Sequence, residues 1–532
     1  MRYGTITCLR KSIALAAALT AASLCITGCP TPPSDTIEPG TGGVHWLRIA
    51  HISDTQIVDE ESPNRAVRLA ALMDSAWRPQ EAYGLQTLDA TLRVVNEHHA
   101  AKGDDVPPID FVIATGDLTD GCQHNELRWF IDTMDGQWVL PDSGEPDGEL
   151  REVAPEDNPK LGFQAEGLDP SIPWYTVYGN HDELSVGTFA VDRAASDPQD
   201  WRAPLLRPVA SAFGLHLLDK NLDALEPTSL YSPAILRGSV ELMDPDTLQL
   251  LLGDLEAGRF VADPRRHFSR RTEFIEEHFN TTTAPAGHGF DEGNIASGLT
   301  RYSVHPKEGI PVRLVVMDTV APNPPPGLPA HYGVMTREQF ESFVKPEIED
   351  AQADGEFVIL ASHHPSEDFD LPYPQEQVRT PEWREYVSSQ PNIIAHLCGH
   401  THVNYVEYVD GAYPYYEIQT GSIIDYPQEG RMLDIYYDEG TDTIRLESAM
   451  FSHMEDPTRL SEESYRRSVI HASNSKSARP AQALDTQLKD AARASGMAPV
   501  DMFPAQPAAD AAYGRESDRD FVATFRRAMQ RR

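Results

Sequence analysis

Short apolar runs that end in polar residues recur along most of the chain. They are WLRIAHISD (46–54), IDFVIATGD (109–117), WYTVYGNHD (174–182), VRLVVMDT (312–319), EFVILASHHP (356–365) and NIIAHLCGHTH (392–402). Runs of this length that are rich in Val, Ile and Leu predict buried strands. Because the polar residues stand where the runs end, the pattern also predicts a functional site at the ends of strands.

Helical periodicity and further strands complete the pattern. GLQTLDATLRVVNE (84–97) repeats apolar residues on one helical face. YYEIQTGS (415–422) and MLDIYYDEGTDTIRLESAMF (432–451) read as sheet strands, the second with a turn at Glu439-Gly440. This order of strands, loops and helices predicts an α/β architecture.

Two regions depart from this order. Residues 184–300 form a long insertion with helical stretches, which we expect to lie as a cap beside the site. Residues 454–532 are polar and rich in Ala and Arg, which predicts a helical or partly disordered C-terminal extension. The main domain is therefore predicted to span residues 44–453.

The N-terminal residues have the features of a targeting signal. A basic start precedes an apolar run that is too short for a comfortable membrane span, and ITGCP follows, with its cysteine at Cys29. This segment resembles the lipobox of bacterial lipoproteins, which implies a signal peptide over residues 1–28 and lipid on the Cys29 thiol. The alternative is an ordinary secretory signal cut nearby. Residues 29–43, rich in Pro, Gly and Thr, predict a flexible tether. We expect an exported protein that is lipid-anchored to the bacterial cell envelope, at the outer membrane or the periplasmic face.

The net charge limits the expected binding partners, and the cysteine content limits the possible disulfides. Among 532 residues, 82 are acidic and 44 are basic, so the formal net charge is −38. Such a field repels polyanions, and a nucleic-acid partner is therefore not expected. Cys122 and Cys398 remain as thiols after processing, and they either form one disulfide or stay as two separate buried thiols.

The strand ends carry a recognisable set of motifs. They are Asp54, GD (116–117), GNHD (179–182), HHP (363–365) and GHTH (399–402). In this order and strand context they resemble the calcineurin-like metallophosphoesterases over residues 44–453. GDLTDGCQHNELRWFID, GHGF and EIQTGSIIDYPQEGR further resemble a bacterial lipoprotein-type subgroup of predicted phosphohydrolases. The resemblance implies a four-layer α-β-β-α sandwich with two metal ions between the sheet edges.

The resemblance also implies a ligand set for two divalent ions, which would be Mn, Fe or Zn. One ion is assigned to Asp54, Gln56, Asp117 and His402, and the other to Asp117, Asn180, His363 and His400. Asp117 is thus expected to bridge the ions, which lower the pKa of a shared water and clamp a phosphate. His181 is implied to contact the phosphate and protonate the leaving oxygen, and Asp182 is expected to orient its ring.

Gln56 departs from the family pattern, in which most members have a histidine at this position. An amide oxygen is a harder ligand than an imidazole nitrogen, so this ion should favour Mn²⁺ or Fe over Zn²⁺ and bind less tightly. Gln56 is therefore predicted to be a weak ligand or to bind through a water. The alternative is an amide bonded to backbone near an inactive site.

Three further residues are predicted to contact substrate. His288 lies on a glycine-flanked loop of the insertion, and His364 and Asn404 follow metal-ligand motifs. His364 is alternatively a packed loop residue, and Asn404 could instead bond a ligand histidine.

The sequence thus predicts a dinuclear metal-dependent phosphoric ester hydrolase, a phosphodiesterase or a phosphatase, that uses a metal-bridging hydroxide on a small phosphoester. A narrower form is a nucleotide or cyclic-nucleotide phosphodiesterase. The alternative outside enzymes is a cell-surface binding or structural lipoprotein with a degenerate site.

Overall fold

The computed structural model describes residues 43–59, 62, 78–101, 106–143, 154–190, 263–322, 330–370, 376–474 and 509–527. The predicted signal peptide, Cys29 and nearly all of the predicted tether lie outside the described residues. So do residues 191–262 of the predicted cap and residues 475–508 and 528–532 of the C-terminal extension.

Strands and helices alternate through the described part of the chain. The strands are β1 (Val44–Ile52), β2 (Phe111–Ala114), β3 (Trp138–Val139), β4 (Phe163–Gln164), β5 (Trp174–Thr176), β6 (Leu184–Ser185), β7 (Phe189–Ala190), β8 (Tyr302–Val304), β9 (Val312–Val316), β10 (Met335–Thr336), β11 (Phe357–Ala361), β12 (Gln377–Val378), β13 (Ile393–Cys398), β14 (Tyr405–Val409), β15 (Tyr415–Gln419), β16 (Glu429–Asp438), β17 (Thr443–Ser452) and β18 (Phe521–Arg526).

The helices are α1 (Gly84–Ala100), α2 (His124–Met134), α3 (Asn180–Glu183), α4 (Arg271–Glu277), α5 (Glu292–Ser297), α6 (Arg337–Gln339), α7 (Lys345–Asp354), α8 (Thr380–Val387), α9 (Arg459–Asn474), α10 (Ala509–Tyr513) and α11 (Glu516–Arg519). A π-helical turn (Phe340–Val344) joins α6 to α7. Short 3₁₀ turns cover Glu81–Tyr83, Pro155–Asp157, Pro264–Arg266, Ser366–Asp370 and His453–Glu455.

Two six-stranded sheets dominate the part of the chain that the structure describes. The first has the order β18-β17-β16-β1-β2-β5, and the second has the order β14-β15-β13-β11-β9-β8. Strands β1, β2 and β5 are parallel, as are β9, β11, β13 and β15, whereas the outer strands are antiparallel. The parallel strands therefore direct their carboxyl ends to one edge of each sheet.

The two sheets pack face to face between layers of helices. One apolar core contains Ile49 and Val112 of the first sheet together with Ile359 and Ile418 of the second. The same core includes side chains of α1 and α2, which cover the outer face of the first sheet. A second core lies between the second sheet and helices α7 and α8 and includes the fully buried Trp383. The α/β fold with its four-layer α-β-β-α sandwich is confirmed.

Strands β2 and β11 are apolar throughout because both their faces are covered. Every residue of β2, β11 and β13 is buried. A parallel strand buried on both sides needs a continuous apolar sequence, rather than the alternation of a half-exposed strand. This accounts for the unbroken runs FVIA and FVILA and for IIAHLC, in which only His396 interrupts the apolar residues.

The C-terminal extension contains a strand that the sequence analysis did not foresee. Helix α9 fits the helical expectation, but β18 pairs antiparallel with β17, with Phe525 opposite Ile444. Ala523 and Phe525 are buried against the first sheet. The C-terminal extension therefore contributes the edge strand of the first sheet.

Two remaining features bear on the sequence predictions. In the described structure Cys122 and Cys398 are buried and do not form a disulfide, so the alternative of two separate thiols is correct. Of the helices in the described ranges, none combines the length and the apolar character that crossing a bilayer requires.

We predict that a chain ending at residue 520 is less stable than one ending at residue 527. The shorter chain loses β18 and exposes the edge of β17, and the burial of Phe525 alone is worth about 1.5–3 kcal/mol. Urea unfolding should show a loss of about 3 kcal/mol, with aggregation in light scattering. Equal unfolding midpoints for the two chains would show that β18 is not part of the stable sheet.

Candidate metal centre

The carboxyl ends of strands from both sheets meet at one edge of the sandwich. Asp54, Asp117 and Asn180 follow β1, β2 and β5 of the first sheet. His363 follows β11, and His400 and His402 follow β13 of the second sheet. Contacts no longer than 3.4 Å connect six predicted ligands, namely Asp54, Gln56, Asp117, His363, His400 and His402.

The loops that carry these ligands adopt unusual backbone conformations. Five of the residues have a left-handed backbone, with φ values of 51° at Asp54, 39° at Gln56, 52° at Asp117, 70° at His400 and 55° at His402. A non-glycine residue pays a conformational cost in this region and persists there only when its surroundings fix it. Such a concentration at one point is typical of a functional site.

Each carboxylate uses one oxygen to fix itself and directs the other into the cluster. Asp54 Oδ2 accepts hydrogen bonds from Ser53 Oγ at 2.6 Å and from the His400 backbone N–H at 3.0 Å. Asp54 Oδ1 has no hydrogen-bond partner among the described residues. Asp117 Oδ1 accepts from the His181 backbone N–H at 2.8 Å, and Asp117 Oδ2 lies 3.2 Å from His363 Nε2.

The histidines are oriented in the same way. His363 Nδ1 donates to the Thr115 carbonyl at 2.7 Å, which leaves Nε2 to face Asp117. His402 Nδ1 contacts the Asp425 carboxylate at 2.7 Å, which leaves Nε2 3.2 Å from Asp54 Oδ1. His400 Nδ1 lies 3.3 Å from His363 Nε2. A hydrogen bond on one ring nitrogen fixes the tautomer and leaves the other nitrogen as a ligand.

The two amides also leave oxygens without partners. Asn180 Nδ2 donates to the Gly187 carbonyl at 2.9 Å, while Asn180 Oδ1 is buried without a partner in the described ranges. Gln56 Nε2 donates to Asp117 Oδ2 at 3.4 Å and lies 3.3 Å from His402 Nε2, while Gln56 Oε1 is buried without a hydrogen bond in the same described ranges. Buried polar atoms without a hydrogen bond are rare and call for a ligand or an ion.

The donor set therefore fits divalent cations. Carboxylate oxygens, amide oxygens and imidazole nitrogens are ligands for Mn, Fe and Zn ions. The ligand atoms of Asp54, Asp117 and His363 lie within 4.8 Å of one another, which is the spacing of a metal-binding group. The residues present thus fit a metal centre in the types of their ligand atoms, in the orientation of those atoms and in their burial.

Glycines bring the backbone close to the ligands. A Cβ on Gly179 would stand 2.2 Å from Asp117 Oδ1, and a Cβ on Gly399 would stand 1.8 Å from Ser53 Oγ. Gly116 has φ +91°, and its Cβ would stand 2.7 Å from His363 Nδ1. Only glycine leaves room for these contacts, as expected of Gly116 and Gly179.

The electrostatics of the cluster favour positive charge at His402 and His363, whereas burial and the neighbouring histidines lower the pKa of His400. Burial alone would lower the pKa of His402, but Asp54 and Asp425 outweigh it and raise the pKa to about 10. In the same way Asp117 outweighs burial at His363 and raises its pKa to about 9. Buried carboxylates that draw positive charge onto their neighbours are suited to holding cations.

A family profile matches this chain. The profile described as Calcineurin-like phosphoesterase covers residues 47–404, which is more than half of the chain. The chain belongs to the calcineurin-like phosphoesterases. The family makes it a hydrolase that depends on divalent metal ions.

Two further comparisons add little to this phosphoesterase assignment. No curated protein gives a significant match. Among solved structures, a dimetal phosphatase from Danio rerio is similar with a TM-score of 0.34 and 13% identity, over 77% of this chain and 100% of that chain. At that TM-score the likeness carries no weight beyond the family match.

In this phosphoesterase, Asp182 does not hold the ring of His181 as expected. Its carboxylate accepts from the backbone N–H groups of Thr119 and Gly179, both at 3.0 Å, so it fixes the loop instead. The ring is held by Asp120, whose carbonyl accepts from His181 Nδ1 at 2.8 Å. Asp120 is therefore the positioning residue, and Asp182 supports the backbone.

Three buried residues support the site and were missed by sequence reasoning. Arg78 is buried and pairs with Asp120 at 2.8 Å, with Asp425 at 2.9 Å and with Glu81 at 2.6 Å. Asp120 holds the ring of His181, and Asp425 holds the ring of His402. The Arg78 guanidinium therefore connects the two aspartates that orient these histidines. Asp120 and Asp425 lie within quoted family motifs, which is a signal that could have found them; Arg78 has no local signal.

The predicted substrate contacts have other partners. His364 lies beside His363 and His400, but its Nδ1 bonds Thr319 Oγ1 at 2.9 Å and its Nε2 bonds the His331 carbonyl at 3.0 Å. This placement corresponds to a packed loop residue.

Within the described residues, the Asn404 side chain makes no hydrogen bond to a ligand histidine and is not exposed to solvent. Asn404 Oδ1 accepts from the Gly421 backbone N–H at 2.9 Å, and Nδ2 donates to Glu429 Oε2 at 3.3 Å. The side chain is fully buried and is used to join strand ends.

His288 differs most from its expected role. It is fully buried, its ring stacks on Trp174 with centroids 3.4 Å apart, and its nitrogens contact the Trp174 carbonyl and Thr281 Oγ1. Both polar atoms are used inside the core, so the ring is a packing group rather than a group facing substrate.

We predict that His288 makes the fold less stable in acid. Burial, with a smaller contribution from His278, lowers the pKa of His288 from 6.5 to about 2. Below pH 6.5 the unfolded chain binds a proton at His288 that the folded chain does not bind. The stability that the neutral His288 ring contributes is therefore complete above that pH and is lost as pH falls.

The test compares wild type with His288→Asn, because asparagine tolerates the left-handed backbone at this position. Between pH 7.5 and pH 5, wild type should lose about 2 kcal/mol more unfolding free energy than the variant in urea titrations. An equal loss in both proteins would mean that His288 takes up its proton in the folded state.

Proposed function

We propose that the chain is a dinuclear phosphoric ester hydrolase that cleaves small phosphomonoesters or phosphodiesters. The observation that carries this proposal is the convergence of buried ligand atoms on Asp117, together with oxygens of Asp54, Gln56 and Asn180 that make no hydrogen bond within the described residues. The alternative of a degenerate binding site does not explain why Asp54 and Asn180 are each fixed through one polar atom while the other, in the described structure, makes no hydrogen bond.

The contacts of Asp117 support two groups of ligands. On one side, Asp117 Oδ2 lies 3.4 Å from the Gln56 amide, and this group includes Asp54 and His402. On the other side, the same oxygen lies 3.2 Å from His363, and this group continues to His400 and, by the family pattern, to Asn180. When bound, the two cations supply an activated water and neutralise the charge on the phosphoryl oxygens.

The chain itself supplies the proton for the leaving group. Because the Asp120 carbonyl accepts from His181 Nδ1, the other nitrogen, Nε2, is left to face the cluster, 3.9 Å from Asp117 Oδ2. A Cβ on Gly187 would stand 2.1 Å from this ring, so a glycine is needed at this position to leave room for the ring. An imidazole held in this way is a suitable general acid for a leaving alkoxide or phenoxide.

We extend the proposal to the location of the enzyme. The lipobox resemblance around Cys29 supports an exported phosphoesterase that is lipid-anchored to the bacterial cell envelope, within a lipoprotein-type subgroup of the family. The charge of −38 supports small phosphoesters as substrates over nucleic acids.

We predict that Asp117→Asn and Asn180→Ala abolish metal-dependent hydrolysis. Several kcal/mol of transition-state stabilisation depend on the metals, so kcat should fall by at least about a thousandfold. The measurement uses metal-stripped protein resupplied with Mn²⁺, Fe²⁺ or Zn²⁺ singly, with an aryl phosphate and a bis-aryl phosphate as substrates.

The matched control for this experiment is Asp410→Asn, which alters an exposed turn that bonds only its neighbour Gly411 in the described structure. It should hydrolyse both substrates at the rate of wild type. Turnover that survives in the Asp117 variant, or that needs no added metal in wild type, would overturn the proposal.

A second prediction concerns Gln56. Replacing it by histidine supplies an imidazole nitrogen beside His402 and Asp117, which should raise the affinity for Zn²⁺ relative to Mn²⁺ by about tenfold. Competitive metal titration of Gln56→His against wild type measures this ratio. An unchanged ratio would count against a ligand role for Gln56.

A further inference from the structure

We propose that His124, His267 and Glu273 form a separate site for one transition-metal ion such as Zn²⁺. The site shares no residue with the cluster around Asp117. It would fasten the end of the long insertion, which contributes His267 and Glu273, to the body of the phosphoesterase, which contributes His124.

The three side chains come from separate elements and meet at one point. His124 is the first residue of α2, His267 follows the 3₁₀ turn Pro264–Arg266, and Glu273 lies in the first turn of α4. Their ligand atoms all lie within 4.8 Å of one another. Glu273 Oε1 is 2.6 Å from His267 Nε2 and 3.4 Å from His124 Nδ1.

The donor set is chemically suited to zinc. Two imidazole nitrogens and one carboxylate oxygen are a common three-ligand set for Zn²⁺, with the fourth position left to water. At usual bond lengths, two ligand atoms on a tetrahedral zinc ion lie about 3.4 Å apart. The separation of His124 from Glu273 matches this value, and the hydrogen bond of His267 to Glu273 would give way to coordination.

Other features of the site leave its ligand atoms ready for an ion. His124 Nδ1 is buried and lacks a hydrogen-bond partner in the described part of the chain. Glu273 Oε2 is directed to the Arg270 backbone N–H at 3.4 Å, which leaves Oε1 for the two histidines. The nearby charge of Arg128 is already paired with Glu277 and Asp132. The three side chains are partly exposed, so an ion can enter from solvent.

The surrounding contacts show what the ion would hold together. The His124 backbone N–H donates to the His267 carbonyl at 2.9 Å, and the Ser269 N–H donates to the Cys122 carbonyl at 2.9 Å. Arg266 is buried and pairs with Asp59 at 2.7 Å. The end of the insertion thus lies along residues 122–124, a few residues after Asp120, and the ion would reinforce this junction.

The test measures zinc bound to the full chain by equilibrium dialysis and elemental analysis. Wild type is compared with His267→Asn and Glu273→Gln, each of which removes one ligand. Each variant should bind one equivalent less zinc at the same free concentration, with about a hundredfold weaker binding of that ion. Zinc should also raise the unfolding temperature less in the variants than in wild type.

A matched control separates this site from a simple histidine–glutamate pair. His305 lies 2.8 Å from Glu356 on the surface and has no third ligand in a metal-binding group of the described residues. His305→Asn should bind as much zinc as wild type. Equal zinc in wild type, His267→Asn and Glu273→Gln, or an equal loss in His305→Asn, would overturn the proposal.

A second comparison keeps this proposal independent of the proposed function. Asp117→Asn should retain the ion held by His124, His267 and Glu273, and adding His267→Asn to that variant should remove it. Loss of this ion in Asp117→Asn alone would overturn the separate site, whereas hydrolysis that persists in Asp117→Asn with the ion retained would overturn only the proposed function.

Discussion

The position of one buried carboxylate, Asp117, is the constraint on which the candidate site depends. Its Oδ1 is fixed by the His181 backbone N–H, and its Oδ2 lies within 3.4 Å of both Gln56 and His363. Gln56 belongs to a loop of the first sheet, and His363 belongs to the second sheet. The carboxylate therefore lies where ligands from the edges of both sheets meet in the same cluster.

The rest of the fold keeps this point rigid. Glycines at 116, 179 and 399 leave no space between the loops, and the left-handed backbone of several ligands is held by that packing. Behind the ligands, Arg78 pairs with Asp120 and Asp425, each of which holds a histidine of the site. A buried charge is costly unless it is paired, and removing one partner of such a network typically costs about 3–5 kcal/mol. Stability and ligand geometry are therefore coupled through the same residues.

The sequence predicted the residues of the cluster better than it predicted their surroundings. Ligands at strand ends could be located because an apolar run followed by a polar motif is a local signal, and parallel strands direct such ends to one edge. The partners of Asp182, His288 and Asn404 depend on residues distant in the chain, such as Trp174 for His288, so no local pattern indicated them. The same holds for Arg78 and for β18, whose pairing with β17 joins segments separated by nearly 70 residues. When apolar and polar residues alternate only weakly in a short segment, the sequence does not predict a strand there, because the segment becomes a strand only by pairing with a sheet edge.

Electron paramagnetic resonance of the Mn²⁺-loaded enzyme most directly tests the proposal that Asp117 would hold two cations. Two Mn²⁺ ions joined through one carboxylate should give a spin-coupled spectrum at two equivalents of metal, and Asp117→Asn should replace it with the spectrum of isolated ions. A wild-type spectrum of isolated Mn²⁺ ions at every metal ratio would contradict the account. So would binding of only one Mn²⁺ ion at the cluster that contains Asp54, Asp117 and His363.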